Sequence, residues 1–321
     1  MTGNLGHCVP VLCIGVISLL GISNLRAGDT DEPRVAIEPR VHTLHSDIRV
    51  DSNLVLLPVN VTDPKNRLVT GLAAGEFRIF DGQNEQTVLR LSNDDAPISI
   101  GIVFDASGSM ASKLGKAREA VAEFLKSANP NDEFFLVNFQ DKAELAVPFT
   151  QSPGDIQNKL AFTGSHGKTA LVDAVYLALH YMQHAGNPRR ALLVISDGGE
   201  NDSRYTQADL RKTLRESNVW MYAIGIYAPG AAVLPEEERG GPKLLEEMTE
   251  QTGGRHLAIQ SASELPGAAS QVGLELRNQY VLAYSPSNVE RDGKYHRVQV
   301  KLVGRRNLHL SWRPGYWAPG P

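Results

Sequence analysis

The stretch PISIGIVFDASGSM, residues 97–110, decides the fold of this chain. Its apolar run up to Phe104 is too short for most helices, and it ends abruptly in Asp105 and the segment ASGS. Such a run predicts a buried strand of a parallel sheet. Ligands of these sheets bind beyond the carboxyl ends of the strands, where loops converge above a rigid sheet. Asp105, Ser107 and Ser109 are therefore candidate site residues; alternatively, the segment only caps the following helix, with Ser109 as the N-cap.

Strands and helices alternate after this stretch. Apolar residues at spacings of three and four predict a helix over residues 110–128, and apolar runs predict buried strands at 191–196 and 219–226. This alternation is typical of an α/β fold with a doubly wound, mostly parallel, Rossmann-like sheet. We assign this domain to residues 96–285.

Antiparallel β segments are predicted on both sides of the α/β domain, at residues 45–95 and 286–321. Short β-type runs alternate there with turn sequences, such as DPKN at 63–66. Two arrangements stay open at this point. Either the C-terminal segment pairs with the N-terminal one in a single β-sandwich, which makes the α/β domain an insertion, or the two form separate pieces.

The first 27 residues have the pattern of a secretory signal peptide. No charged residue precedes Arg26, residues 9–22 are almost entirely apolar, and small residues follow at the expected cleavage point. Residues 28–44 are polar and aperiodic, which predicts a linker. We expect a secreted or periplasmic protein of a bacterial envelope, without a stable membrane span unless the N-terminal segment stays uncleaved.

Both cysteines of the chain, Cys8 and Cys13, lie within the predicted signal peptide. The mature chain would then contain no cysteine, which excludes disulfides, thiolate zinc sites and a cysteine nucleophile.

A net charge of -4 without a basic block argues against nucleic acid as a partner. The segment GKT at 167–169 resembles the end of a phosphate-binding loop, but Phe162 stands where that motif requires glycine, so no nucleotide is expected.

Three segments of the α/β domain are predicted to meet at one edge of the sheet. They contribute Asp105 with Ser107 and Ser109, Thr169 from a later loop, and Asp197 from the end of a second buried strand. This set offers carboxylate and hydroxyl oxygens without histidine or cysteine. Such ligands suit a hard cation, and the small number of carboxylates favours Mg²⁺, with Mn²⁺ or Ca²⁺ as substitutes.

These segments also carry a family resemblance. The family's motifs match, in the same order, the segments DASGS (105–109), GKTALVDAV (167–175) and VISDGGEND (194–202). On these residues the chain resembles the von Willebrand factor type A domain. The resemblance implies a complete metal-ion-dependent adhesion site, in which the ion is ligated by Ser107, Ser109 and Thr169 and is contacted, directly or through water, by Asp105 and Asp197.

In that family an open coordination position commonly accepts a Glu or Asp of a partner protein. The resemblance therefore implies a protein ligand, and we expect its binding rim to include His166, Lys168, Gly198 and Gly199. The flanking segments, residues 59–88 and the C-terminal part from 276 onward, also resemble a family of exported proteins with type A domains from acidobacteria.

Together these observations predict a non-enzymatic, exported module that binds an acidic residue of a protein through Mg²⁺. One alternative is a structural scaffold of an envelope assembly in which the metal only stabilises the loops. A metal-assisted hydrolase ranks last, because the sequence places no general base near the ion.

His180 and His184 stand four residues apart, but without a third ligand they are interpreted as surface histidines.

Overall fold

The computed structural model describes residues 54–93, 95–227, 240–287, 293–304 and 307–318. The predicted signal peptide, the linker and residues 45–53 of the N-terminal β segment lie outside this part of the chain. Among the described residues, no helix combines the length and apolar character that a membrane crossing needs.

The described residues form strands and helices in a regular order. The strands are β1 (Val55–Thr62), β2 (Phe77–Asp81), β3 (Asn84–Gln86), β4 (Arg90–Ser92), β5 (Ile98–Asp105), β6 (Glu133–Phe139), β7 (Ala143–Thr150), β8 (Arg189–Ser196), β9 (Trp220–Ile226), β10 (His256–Ile259), β11 (Tyr280–Tyr284), β12 (Tyr295–Leu302), β13 (His309–Trp312) and β14 (Gly315–Trp317). The helices are α1 (Leu114–Leu125), α2 (Pro153–Ala161), α3 (Leu171–Tyr181), α4 (Gln207–Glu216), α5 (Gly241–Thr252) and α6 (Leu265–Arg277).

A six-stranded sheet of order β10-β9-β8-β5-β6-β7 forms the centre of the α/β domain. Its strands are parallel except for β7, which runs antiparallel to β6. Helices α1, α2 and α6 pack on one face of this sheet, and α3, α4 and α5 pack on the other. The predicted α/β fold with a doubly wound, mostly parallel sheet is therefore confirmed.

Strand β5 is buried along its whole length because helices cover both faces of the sheet. Ile100, Ile102 and Phe104 pack toward one helical layer, and Val103 packs toward the other. Each side chain of this size contributes about 1.5–3 kcal/mol when it is fully buried. The strand thus holds Asp105, its last residue, at a rigid edge of the sheet.

The N-terminal and C-terminal β segments form one sandwich. Its two sheets have the orders β13-β1-β11-β4 and β14-β12-β2-β3. Strand β1 pairs with β11 and β13, and β2 pairs with β12, so each sheet combines both ends of the described chain. Side chains of both sheets share one apolar core. Of the two arrangements left open by the sequence, the chain adopts the single sandwich, and the α/β domain lies between β4 and β11.

Strand β11 corrects the predicted end of the α/β domain at residue 285. It pairs with β1 and β4 in the sandwich, so the last element of the α/β domain is α6, which ends at Arg277. The apolar side chains Tyr280, Leu282 and Tyr284 face the sandwich core, where the ring of Tyr280 lies 5.3 Å from that of Phe77. Alternation along a strand identifies its buried face but not the sheet that it joins.

Helix boundaries around the candidate site also differ from the sequence analysis. The helix predicted over residues 110–128 is shorter, Leu114–Leu125, and residues Gly108–Met110 form a separate 3₁₀ turn. Helix α1 has Lys113 as its N-cap residue, so Ser109 does not cap it. Helix α6 was not predicted, because Pro266 and Gly267 are turn-like residues; proline is nevertheless compatible with a first helical turn.

Candidate metal centre

The carboxyl ends of two neighbouring strands bring the two candidate carboxylates together. Strands β5 and β8 are adjacent and parallel, with Phe104 in register with Ile195. Asp105 ends the first of these strands and Asp197 directly follows the second. Both side chains are buried. Thr169 lies in the loop before α3, which reaches the same edge of the sheet.

Backbone hydrogen bonds join the loop after β5 to the loop that carries Thr169. The amide of Gly108 donates to the carbonyl of Gly167 at 3.0 Å. In the opposite direction, the amide of His166 donates to the carbonyl of Ala106 at 3.0 Å. These bonds connect loops distant in sequence without any side-chain contribution. They hold the segment that carries the two serines against the loop that carries Thr169.

Asp105 is a fully buried carboxylate with two hydrogen-bond donors. Its Oδ1 accepts from the amide of Ser107 at 2.9 Å, and its Oδ2 accepts from the hydroxyl of Ser196 at 2.6 Å. Burial, and next the negative charge of Asp197, raise the pKa of Asp105 to about 6. The hydrogen bonds oppose this shift, because they favour the charged form. The two carboxylates therefore repel each other across the edge of the sheet.

The hydroxyl groups of Ser107 and Ser109 lie side by side, with 3.1 Å between their Oγ atoms. Ser107 is buried and Ser109 is exposed. The two hydroxyl oxygens thus lie at the boundary between the protein interior and the solvent.

Asp197 has one satisfied and one unsatisfied carboxylate oxygen. Its Oδ2 accepts an ion-paired hydrogen bond of 2.8 Å from Lys113 Nζ. Its Oδ1 is buried and has no hydrogen-bond partner among the residues that the structure describes. A Cβ atom built on Gly199 would lie 3.2 Å from Thr169 Oγ1 and 3.7 Å from Asp197 Oδ1. The glycine therefore leaves room beside both oxygens.

The threonine loop is fixed by polar contacts with the segment after β8. The amide of Thr169 donates to Asn201 Oδ1 at 2.9 Å, and the amide of Asn201 donates back to the carbonyl of Thr169 at 3.0 Å. The amide of Lys168 donates to Asp141 Oδ1 at 2.7 Å, and its ammonium group contacts Asp202 at 3.0 Å. The threonine hydroxyl is thus held by a preorganised loop.

The four residues predicted as a partner-binding rim have different surroundings. His166 and Lys168 are exposed at the surface of the threonine loop. Gly198 and Gly199, in contrast, are buried. Gly198 has a φ of 84°, and a Cβ atom on it would lie 2.9 Å from Gly241 Cα at the start of α5, so this position requires glycine.

Sequence reasoning missed three side chains that build the site. Ser196 holds Asp105, Lys113 pairs with Asp197, and Asn201 fixes the threonine loop. Two of them had a sequence signal. Ser196 ends a buried strand directly before Asp197, and Lys113 follows Ser109 by one helical turn.

The donor set fits a hard divalent cation. It consists of oxygen atoms only, and a buried carboxylate oxygen without a donor, Asp197 Oδ1, is an atom that a cation would satisfy. In the part of the chain that the structure describes, no group of three His, Cys, Asp or Glu side chains could hold a metal. Metal binding at this edge would therefore depend on the hydroxyl groups of Ser107, Ser109 and Thr169.

Comparisons with known proteins agree with this architecture. Residues 100–200 match the family model of the von Willebrand factor type A domain. An uncharacterized protein of Borreliella burgdorferi is 26% identical over 186 residues, which cover 51% of this chain and 54% of that protein. The alignment thus spans about half the length of this relative.

Among solved structures, a von Willebrand factor type A protein from Catenulispora acidiphila matches with a TM-score of 0.51 and 14% identity, covering 84% of this chain and 75% of that one. The conserved hypothetical protein BatB from Bacteroides thetaiotaomicron matches with a TM-score of 0.44 and 17% identity, covering 56% of this chain and 98% of that one. Residues 100–200 are therefore similar to the von Willebrand factor type A domain, and the chain shares the fold of the Catenulispora structure.

Proposed function

We propose that this chain is an exported, non-catalytic module of a bacterial envelope, secreted or periplasmic, that binds an acidic residue of a protein partner through Mg²⁺. The observation that carries the proposal is the buried Asp197 Oδ1, which has no donor among the described residues and lies close to the space beside Thr169 Oγ1. Mn²⁺ or Ca²⁺ would substitute for Mg²⁺, because both also prefer oxygen ligands.

Each candidate residue has a distinct part in holding the ion. Ser107, Ser109 and Thr169 would supply hydroxyl oxygens, and the two aspartates would supply negative charge, directly or through water. When bound, the cation supplies an electron-poor centre that attracts an anion. Because few carboxylates would contact the cation directly, most of its positive charge would stay unneutralised. This favours the binding of an incoming Glu or Asp side chain.

A groove beside the site supports a protein as the partner. Its volume is about 520 Å³, and its lining includes Phe162, Lys159 and His166. The side chain of Phe162 is 90% exposed, which is unusual for an aromatic residue. A partner that also extends into this groove would cover the ring, and the buried apolar area would add affinity to the ionic contact.

A scaffold in which the metal only stabilises the loops is the second candidate. The backbone hydrogen bonds between Gly108 and Gly167 and between His166 and Ala106 favour it, because they join the two loops and an ion would reinforce them. The two functions differ in one outcome. For the scaffold, chelation lowers the melting temperature and releases no partner, whereas for the binding module chelation releases the partner.

The first experiment titrates Mg²⁺ and Mn²⁺ into the purified protein by calorimetry. We expect saturable heat from the wild type and none from the Asp105→Ala/Asp197→Ala variant. Glu144→Ala is the matched control, since it removes an exposed carboxylate of β7, the edge strand of the same sheet. Equal heats from the wild type and the double variant would contradict metal binding at this site.

The second experiment tests the partner. The immobilised protein is incubated with bacterial envelope extract in Mg²⁺ or in chelator, and Phe162→Ala is run beside the wild type. The proposal requires a bound protein that chelator elutes and that Phe162→Ala retains poorly, while this variant binds Mg²⁺ normally. A partner that stays bound in chelator would favour the scaffold.

A further inference from the structure

We propose that Lys113 is a built-in competitor for the cation. Its ammonium group occupies Asp197 while no metal is bound, and it must leave this carboxylate before a divalent ion binds tightly. The inference rests on the proposed function, since it assumes a cation at this site. It adds a residue that sets the affinity for the ion and that stabilises the metal-free protein.

The position of Lys113 suits this part. It is the N-cap residue of α1, directly after the loop that carries Ser107 and Ser109. Its Nζ lies 2.8 Å from Asp197 Oδ2, and the two side chains are 23% and 4% exposed. The lysine side chain thus points inward and provides a positive charge next to a buried carboxylate. Without such a partner, a charged carboxylate in this position would be destabilising.

Other lysines of the same region make a different kind of ion pair. Lys116 pairs with Glu119 on the surface of α1, where the side chains are 48% and 54% exposed. Solvent screens such a pair, so it contributes little to stability. Lys113 differs because its partner is buried, and a buried carboxylate that loses its cation is strongly destabilised.

Competition follows from the charges. Asp105 and Asp197 together provide at most two negative charges, whereas a divalent ion and an ammonium group provide three positive ones. In a buried site this excess is costly, because the low dielectric strengthens repulsion. The long flexible stem of lysine allows the ammonium group to move to solvent when the ion arrives. Breaking the ion pair subtracts from the binding free energy and weakens the apparent affinity.

The test compares Lys113→Met, which keeps an apolar stem of similar length, with the wild type and with Lys116→Met as the matched control. In calorimetry with Mg²⁺ alone, the Kd of Lys113→Met should be lower than that of the wild type by a factor of about ten or more. The Kd of Lys116→Met should be unchanged. In chelator, Lys113→Met should melt at a lower temperature than the wild type, and Mg²⁺ should raise its melting temperature by more. Lys113→Gln, which retains a hydrogen-bond donor without the charge, is measured in parallel in case the methionine variant does not fold.

The outcomes separate the inference from the proposed function. An equal or weaker affinity in the Lys113 variants, with a wild type that binds Mg²⁺, would overturn the competition and leave the metal site intact. No heat from the wild type or from the Lys113 variants would overturn the proposed function and the inference with it.

Discussion

The hydroxyl of Ser196 donates a 2.6 Å hydrogen bond to Asp105 Oδ2 and accepts one of 2.9 Å from the amide of Gly198. One side chain at the end of β8 therefore positions both the carboxylate at the end of β5 and the turn that follows Asp197. Ser196 and Asp105 are fully buried, so water does not replace these bonds if the hydroxyl is removed.

The Ser196→Ala variant should lose about 1–3 kcal/mol of stability, because a buried carboxylate oxygen and a buried amide lose their partner. Urea unfolding in chelator measures this loss. Its affinity for Mg²⁺ in calorimetry should also fall, because Asp105 is less firmly oriented. Ser152→Ala is the control, since this serine is exposed and makes no side-chain cap of α2. Unchanged stability and Mg²⁺ affinity in Ser196→Ala would contradict the role of Ser196 in positioning Asp105.

The raised pKa of Asp105 predicts a pH dependence of the metal-free protein. The folded pKa of about 6 exceeds the ordinary value of 3.8, so the folded protein holds this proton more tightly than the unfolded chain does. The resulting contribution to stability is complete below the ordinary value and is lost as the pH rises through about 6. Over the whole range between these two pKa values the contribution amounts to about 3 kcal/mol.

The measurement is urea unfolding in chelator from about pH 5 to about pH 7.5, for the wild type and for Asp105→Asn. The amide cannot ionise, so the variant should gain stability relative to the wild type as the pH rises. A comparison with the variant removes the titration of all other groups from the result. A stability difference that stays constant over this range would disprove the shift.

The sequence predicted the parts of the fold that depend on continuous patterns. The wholly apolar run of β5 identified a strand covered on both faces, and the polar residues after it marked the edge where Asp105 lies. The spacing marked the positions of Ser196 and Lys113, but it could not identify the carboxylates that they contact, because these contacts depend on the register of β5 with β8 and on the start of α1. Helix α6 was missed because its first turn contains Pro266 and Gly267.

The space beside Gly199 provides a test of the site that changes no candidate ligand. A methyl group at this position would lie 3.2 Å from Thr169 Oγ1 and 3.7 Å from Asp197 Oδ1. Gly199→Ala should therefore weaken Mg²⁺ binding about tenfold or more, since a displacement of ligand oxygens by a few tenths of an ångström is costly for a cation that requires near-ideal geometry.

Calorimetry with Mg²⁺ checks the prediction for Gly199→Ala, and its melting temperature in chelator should change little. Gly164→Ala is the matched control in a neighbouring loop, because a Cβ atom there meets no atom within 4 Å. Equal Mg²⁺ affinities in the wild type and in both variants would show that the cation does not occupy the space between Thr169 and Asp197.

The α/β domain contains a buried ion pair whose disruption should cause a large loss of stability. Arg255 Nη1, just before β10, lies 2.6 Å from Glu275 Oε1 in α6, and Glu275 is fully buried. Burial raises the pKa of Glu275, which the charge of Arg255 opposes. Glu275 Oε1 also accepts from Gln271 at 3.1 Å, whereas its Oε2 has no partner among the described residues. The carboxylate thus depends on Arg255 for its charge balance.

Arg255→Met should cost about 3–5 kcal/mol, because it leaves a buried carboxylate uncompensated, and the double variant Arg255→Met/Glu275→Met should recover most of this loss. Urea unfolding at neutral pH measures both. Arg211→Met is the control, since its pair with Glu247 is partly exposed and should contribute about 1 kcal/mol or less. If the double variant were as unstable as Arg255→Met, the loss would come from the packing of the arginine stem and not from the unpaired charge.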